Sequence, residues 1–184
     1  MKFYFATSNI KKFHEFSALL GPQLELVTCD LWELQTSDLQ ELVKHKLKQA
    51  HHKIQAPLII EDSSLYFKAW NELPGPLVKW FIKNIGLEGM VKALSKFENN
   101  FAIAKSCLGF TSDGKDIYFF EEEIQGTIVM PRGKNNFGWD SIFEPIGQKL
   151  TFSEMSFNEK LKISPRSKVT KKFKQFLKLK AKQM

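Results

Sequence analysis

Apolar and polar positions along the first sixty residues switch repeatedly between the period of a strand and that of a helix. Phe3, Tyr4 and Phe5 make an unbroken apolar run within Lys2–Ala6, which predicts a buried strand cut off at Thr7-Ser8-Asn9. Phe13, Phe16 and Leu20 then recur at helical spacing, predicting a helix over 11–20 that stops at Gly21-Pro22. Leu24–Thr28 reads as a short strand. Ser37 opens a second helix through a capping box, Ser37-x-x-Gln40, with an apolar stripe at Leu39, Leu42, Val43, Leu47, Ala50 and Ile54. Pro57 precedes a third buried strand, Leu58–Ile60, which ends in Glu61-Asp62. This order of strand, helix, strand, helix, strand is the start of an α/β fold.

Farther along, Leu73-Pro74-Gly75-Pro76 forms a rigid turn into helices over 77–84 and 87–97. Residues 101–110 and 117–125 predict two strands joined at Ser112-Asp113-Gly114, where Asp-Gly is a hairpin signal. Gly126–Met130 reads as another short strand and Pro131-Arg132-Gly133 as a turn. Ser164 and Pro165 suit the N-cap and first residue of a last helix that turns Val169, Phe173, Phe176 and Leu177 inward. No repeat or linker interrupts the pattern. Residues 1–184 therefore predict one α/β domain, a mixed sheet with helices on both sides.

Charge changes this picture at one end. The chain carries a net +7, but residues 158–184 hold ten Lys/Arg against the single acid Glu159, leaving the first 157 residues at about −2. The basic tail suits either a phosphate-rich partner or a solvated helix face. No apolar run reaches the ~18 residues of a membrane span, and Lys11 and Lys12 interrupt the first one too early for a secretory signal. The two cysteines, Cys29 and Cys107, fit reduced buried thiols. The expectation is a cytoplasmic protein without a membrane.

Three constellations can carry chemistry. Thr7-Ser8-Asn9-Ile10-Lys11-Lys12 lies between a strand and a helix, where free N–H groups and the helix dipole favour phosphate. By itself it reads first as an ordinary N-cap followed by solvated lysines. Glu61-Asp62-Ser63-Ser64 stands at a predicted strand end, where two acids can hold Mg2+ and activate water, or simply start a turn. Glu33 and Glu41 supply further acids before it. Phe137-Gly138-Trp139-Asp140, with Lys160, Ser164 and Arg166, offers aromatic faces and donors for a nucleobase, or a piece of core. The histidines do not form a metal site. His45 and His52 lie two helical turns apart, His51 diverges from His52, and His14 has no neighbour at ligand spacing.

The order of these segments is similar to that of the inosine triphosphate pyrophosphatase family, in its eukaryotic-type version. Thr7-Ser8-Asn9-x-x-Lys12-x-x-Glu15 resembles the family's T-G-N-x-x-K-x-x-E, and Glu61-Asp62-Ser63-Ser64-Leu65 its E/D-D-[ST]-x-L. Leu73-Pro74-Gly75-Pro76-x-x-Lys79-Trp80-Phe81 and Phe137-Gly138-Trp139-Asp140-x-x-Phe143-x-Pro145 follow in turn. The closing Phe152-x-Glu154-Met155 and Glu159-Lys160-x-x-x-Ser164-x-Arg166 complete the set.

The resemblance implies a curved mixed sheet in two lobes around a deep nucleotide cleft, and a homodimer. The activity it implies is hydrolysis of inosine, deoxyinosine and xanthosine triphosphates to monophosphate and pyrophosphate, which cleanses the nucleotide pool. Thr7, Ser8, Asn9, Lys12 and Lys46 would hold the triphosphate, with Lys79 and Ser63 facing the substrate. Glu33, Asp62 and Glu61 would hold Mg2+, Asp62 would act on the attacking water, and Phe137, Gly138, Trp139, Asp140, Lys160, Ser164 and Arg166 would recognise the base. Three positions depart from the pattern. Ser8 replaces glycine, which crowds the loop if a positive φ is needed there. Leu77 replaces tyrosine, and Pro165 replaces a histidine donor, predicting weakened base selectivity. The alternatives are a catalytically weak nucleotide-binding relative, or a nucleic-acid binder using the basic C-terminal helix. The acids around Asp62 argue against nucleic acid.

Overall fold

The computed structural model describes residues 2–135 and 137–182. Strands β1 (Phe3–Ala6), β2 (Leu24–Val27), β3 (Leu58–Phe67), β4 (Pro74–Gly75), β5 (Phe101–Thr111), β6 (Tyr118–Ile128) and β7 (Phe143–Pro145) form one sheet. Its order is β2-β1-β3-β5-β6-β7, with β4 pairing β3 off this path. β1 runs parallel to β2 and β3, while the remaining pairs are antiparallel, so the sheet is mixed as predicted.

Helices cover both faces because alternate residues of each strand point opposite ways. On one face α1 (Ile10–Leu20) and α5 (Pro165–Ala181) bring Phe16, Leu20, Val169 and Phe173 against Phe3, Phe5, Ile59, Leu108 and Phe110. On the other, α2 (Leu39–Ile54) packs Leu39, Val43, Leu47 and Ala50 against Ala6, Leu58, Ile60 and Cys107. Gly109 of β5 permits that approach, since a Cβ there would stand 2.7 Å from Val43 Cγ1. A third cluster joins the far half of β3 and β5 to α3 (Val78–Leu94) and β7 through Leu65, Phe67, Met90, Leu94, Trp139, Phe143 and Phe152.

Several local signals act as read. Asn9 caps α1 by accepting from Lys12 N, and Ser164 caps α5 with Pro165 in its first turn. Val169 and Phe173 are fully buried, and Phe176 and Leu177 pack beside them. The two predicted helices over 77–97 join as α3, broken at Gly86, whose φ of 68° is left-handed. Ser8 is not among the positive-φ residues, so the side chain that replaces glycine there causes no backbone strain.

Three expectations are corrected. The cap of α2 is Asp38, whose side chain accepts from Glu41 N, and the Ser37-x-x-Gln40 box is not used. Gly126–Met130 is not a separate strand. Gly126, Thr127 and Ile128 continue β6, because β5 pairs with the first two and β7 with all three. Most important, the strand predicted to end at Glu61-Asp62 runs on to Phe67, held along its whole length by β5. Helix α4 (Phe157–Ile163) went unread, although Ser156 and Glu159 form a complete capping box.

Candidate functional site

The site forms where the neighbours of β3 part. β1 pairs with β3 only at Leu58 and Ile59, and β4 only at Leu65 and Tyr66, so the edge between them is open. The chain leaving β1 turns there as Thr7-Ser8-Asn9. Thr7 N continues the parallel ladder to Val27 O, and Thr7 Oγ1 accepts from Asn9 N at 3.1 Å. The helix start then delivers Lys12 over the open edge, where its Nζ donates to the Glu61 carbonyl at 3.2 Å.

Since β3 continues past the acids, its pleat sends Glu61 and Asp62 to opposite faces. Glu61 is fully buried on the α1 and α5 side. Its Oε1 accepts from Ser63 Oγ at 2.5 Å, Ser106 Oγ at 2.7 Å and Arg166 Nε at 3.2 Å. Its Oε2 lies 3.0 Å from Lys12 Nζ without hydrogen-bond alignment, so that contact is charge attraction alone. Burial by itself would raise the Glu61 pKa, but Arg166 and Lys12 outweigh it and hold the carboxyl well below the usual range.

Asp62 faces α2. Lys46 Nζ stands 2.7 Å from Asp62 Oδ2 and 2.9 Å from Glu33 Oε1, and Lys79 Nζ from α3 reaches Glu33 Oε2 at 2.8 Å. Burial opposes ionisation of Glu33, yet the hydrogen bonds from Lys79 and Lys46 prevail and pull its pKa down to about 2. Burial likewise disfavours the Lys46 ammonium, and the Asp62 charge more than restores it, leaving that pKa raised.

Lys46 and Lys79 thus occupy the Glu33 and Asp62 carboxylates, the oxygen donors on this face that could hold a hard cation. Mg2+ usually takes one or two carboxylates and completes its shell with water and phosphate oxygens. Among the described residues no three His, Cys, Asp or Glu side chains converge as a closed metal cage. Glu61 stands apart from the Glu33–Asp62 pair, its Oε1 taken by the serines and Arg166. Glu41 is exposed and accepts from Thr36 Oγ1.

On the other side of Lys12 lies a cavity of about 300 Å³, lined by Ser63, Phe137, Asp140, Lys160, Ser164, Pro165 and Arg166 among others. Lys160 Nζ donates to Asp140 Oδ2 and lies 3.0 Å from Glu15 Oε1, while Arg166 Nη1 donates to Glu15 Oε2. Arg166 also donates to Ser63 Oγ at 2.8 Å, tying this network to Glu61. Burial pushes the Asp140 carboxyl up despite Lys160, whereas Arg166 and Lys160 overcome burial at Glu15 and lower it. Lys160 Nζ lies 4.6 Å from the Phe137 ring centroid. Gly138 is exposed at the rim. Trp139 is 8% exposed and packs against Phe143 and Phe152, so its ring belongs to the core as well as to the cavity wall.

A second cavity of about 700 Å³ is lined by Thr7, Ser8, Lys46 and Glu61, and both cavities share Asn9, Lys12 and Lys79. The two halves thus meet at a cationic edge. Sequence reading gave no role to Glu15, Ser106, Val78, Ile82 or Phe152. Glu15 and Phe152 did stand within the quoted motifs, and Glu15 lies on the buried side of α1 beside Phe16, one turn beyond Lys12.

Residues 3–176 match the sequence model of the Ham1 family. A protein of Kluyveromyces lactis named inosine triphosphate pyrophosphatase is 40% identical over 182 residues, spanning 94% of this chain and 94% of its own. A dITP/XTP pyrophosphatase of Methanopyrus kandleri is 38% identical and spans 97% of each. In structure, a HAM1 protein from Coxiella burnetii superposes with a TM-score of 0.86 at 23% identity, over 97% of this chain and 98% of that one, which speaks for the fold. With the family model matching residues 3–176 and relatives at about 40% identity over nearly the whole chain, the chain belongs to the Ham1 family.

Proposed function

We propose that this chain hydrolyses the triphosphates of inosine, deoxyinosine and xanthosine to monophosphate and pyrophosphate, with Mg2+, as a cytoplasmic homodimer. The observation that carries the reading is the shared edge of Asn9, Lys12 and Lys79 between a lysine-lined cavity and one lined by Phe137, Asp140, Lys160 and Arg166. The first suits a triphosphate and the second a base. The names borne by the relatives from K. lactis and M. kandleri support the same chemistry.

In this reading Asp62 accepts the proton of a water whose oxygen attacks the α-phosphorus. A new P–O bond forms there as the bond to the bridging oxygen breaks, and pyrophosphate departs with that electron pair. Lys12, Lys46 and Lys79 stabilise the charge that develops on the leaving group. Glu33 and Asp62 would hold Mg2+, which when bound draws charge from the phosphate oxygens. Lys46 and Lys79 then exchange carboxylate partners for phosphate. Phe137 offers a ring to the base, and Asp140, Lys160 and Arg166, fixed by Glu15, present groups to its edge. Among the described residues no helix is long and apolar enough to cross a membrane.

The test is product analysis with inosine triphosphate and xanthosine triphosphate. Pyrophosphate release that stops in excess chelator is expected. Single phosphates as product, or undiminished turnover without a divalent ion, would refute the proposal.

A further inference from the structure

The segment that carries Glu33, between β2 and α2, has no regular secondary structure, so something other than a ladder must fix its carboxylate. One stripe of α2 meets it at three successive points. Lys46 reaches Glu33, Gln49 reaches Trp32, and Lys53 Nζ donates to Asp30 O. Residues 46, 49 and 53 are spaced three and four apart, so they share one helix face.

The middle contact differs in kind. Trp32 N donates to Gln49 Oε1 at 3.0 Å, and Gln49 Nε2 donates to Trp32 O at 2.8 Å. A single amide therefore satisfies both backbone groups of Trp32, as a neighbouring strand would, and the Trp32 carbonyl belongs to the peptide plane that enters Glu33. The remaining Gln49 N–H points at His45 Nδ1, 2.8 Å away, which makes that nitrogen the acceptor. The His45 ring in turn packs edge-on against the Trp32 indole with centroids 5.3 Å apart.

We infer that Gln49 is a positioning residue for Glu33, and that its amide sets the affinity of the Glu33–Asp62 pair for a divalent cation without touching the ion. This rests on the cation role given to Glu33 and Asp62 above. Partners of this kind commonly change metal affinity 10- to 100-fold. Gln49→Leu keeps the bulk and removes both bonds, whereas Trp32→Ala removes the indole and keeps both backbone groups.

The experiment titrates Mn2+ alone against the full chain and follows loss of the free-ion EPR signal. Alongside it, the Mg2+ dependence of pyrophosphate release from inosine triphosphate is measured. Gln49→Leu should weaken Mn2+ binding and raise the Mg2+ needed for half-activation by roughly 10-fold, with KM for the nucleotide at saturating Mg2+ little changed. Trp32→Ala should stay within about twofold of the unaltered chain in both measurements. If the unaltered chain shows neither Mn2+ binding nor Mg2+ dependence, the cation reading fails and this inference with it. If it shows both and Gln49→Leu matches it, only the positioning role is overturned. If Trp32→Ala reproduces the Gln49→Leu loss, the indole and not the amide sets the affinity, and the inference is again overturned.

Discussion

Glu61 and Asp62 are consecutive residues whose side chains serve opposite faces of β3. Glu61 engages Arg166, which lines the smaller cavity, and Asp62 engages Lys46, which lines the larger one. Lys12 spans the open strand edge and lies 3.0 Å from the first and 3.6 Å from the second. Two neutralising substitutions one position apart should therefore fail differently.

Asp62→Asn should lose activity and keep the fold. Asp62 is partly exposed and Lys46 retains Glu33, so folding loses little, while loss of a general base commonly costs on the order of 100-fold or more. Glu61→Gln should instead destabilise, because it removes the buried negative charge that Arg166 and Lys12 face and leaves the Arg166 guanidinium only the Glu15 carboxylate. Breaking a buried pair costs on the order of 3 kcal/mol, about 6–12 °C of melting temperature in a chain of this size. Calorimetry and pyrophosphate release on both variants decide it. Near-normal turnover of Asp62→Asn would show that Asp62 has another role.

Acid should destabilise the protein between about pH 5 and pH 2. Glu33 titrates near 2 in the fold against an ordinary 4.5, and Glu15 and Glu61 are also lowered. A depressed carboxyl stabilises the fold above its unfolded pKa, and that stabilisation disappears as pH falls through the folded value. Asp140, whose pKa is raised, works in the opposite sense but is one group against three. Urea midpoints measured from pH 6 to pH 2.5 should decline, and a flat profile would contradict the ion pairs described.

Base selectivity should be modest and improvable at one position. Pro165 lines the smaller cavity and begins α5, and it offers neither a side-chain donor nor a backbone N–H. One missing hydrogen bond is worth about 0.5–1.5 kcal/mol, roughly 2- to 13-fold in discrimination. Inosine triphosphate should be preferred over ATP, and Pro165→His should widen the ratio of kcat/KM by that factor. An unchanged ratio, or complete rejection of ATP by the original chain, would remove this position from the account.

Neutralising the tail should leave catalysis alone. Lys178, Lys180 and Lys182 lie exposed at the end of α5, and the Lys180 ammonium contacts the Tyr118 hydroxyl and nearby rings. Changing all three to Gln should keep pyrophosphate release within about twofold, as expected of a solvated charged face. A large loss would mean that the tail reaches the cleft or a subunit contact, and would favour the nucleic-acid reading.

What the sequence settled alone was whatever a few neighbouring residues decide. The caps at Asn9 and Ser164, Pro165 at the start of α5, and the periodicity of α1, α2 and β1 act through hydrogen bonds and side-chain faces within about one turn. The family, too, was legible, because its motifs are short runs in a fixed order. The reach of β3 was not, since Glu61 to Phe67 stay extended through pairing with β5 some forty residues away, and that pairing alone divides the two acids between faces. The same holds for Glu15 and Arg166, which are 151 positions apart, and for Gln49 at the Trp32 backbone. Burying charged or amide groups costs free energy unless a partner is supplied, and only the packed chain supplies partners from that distance.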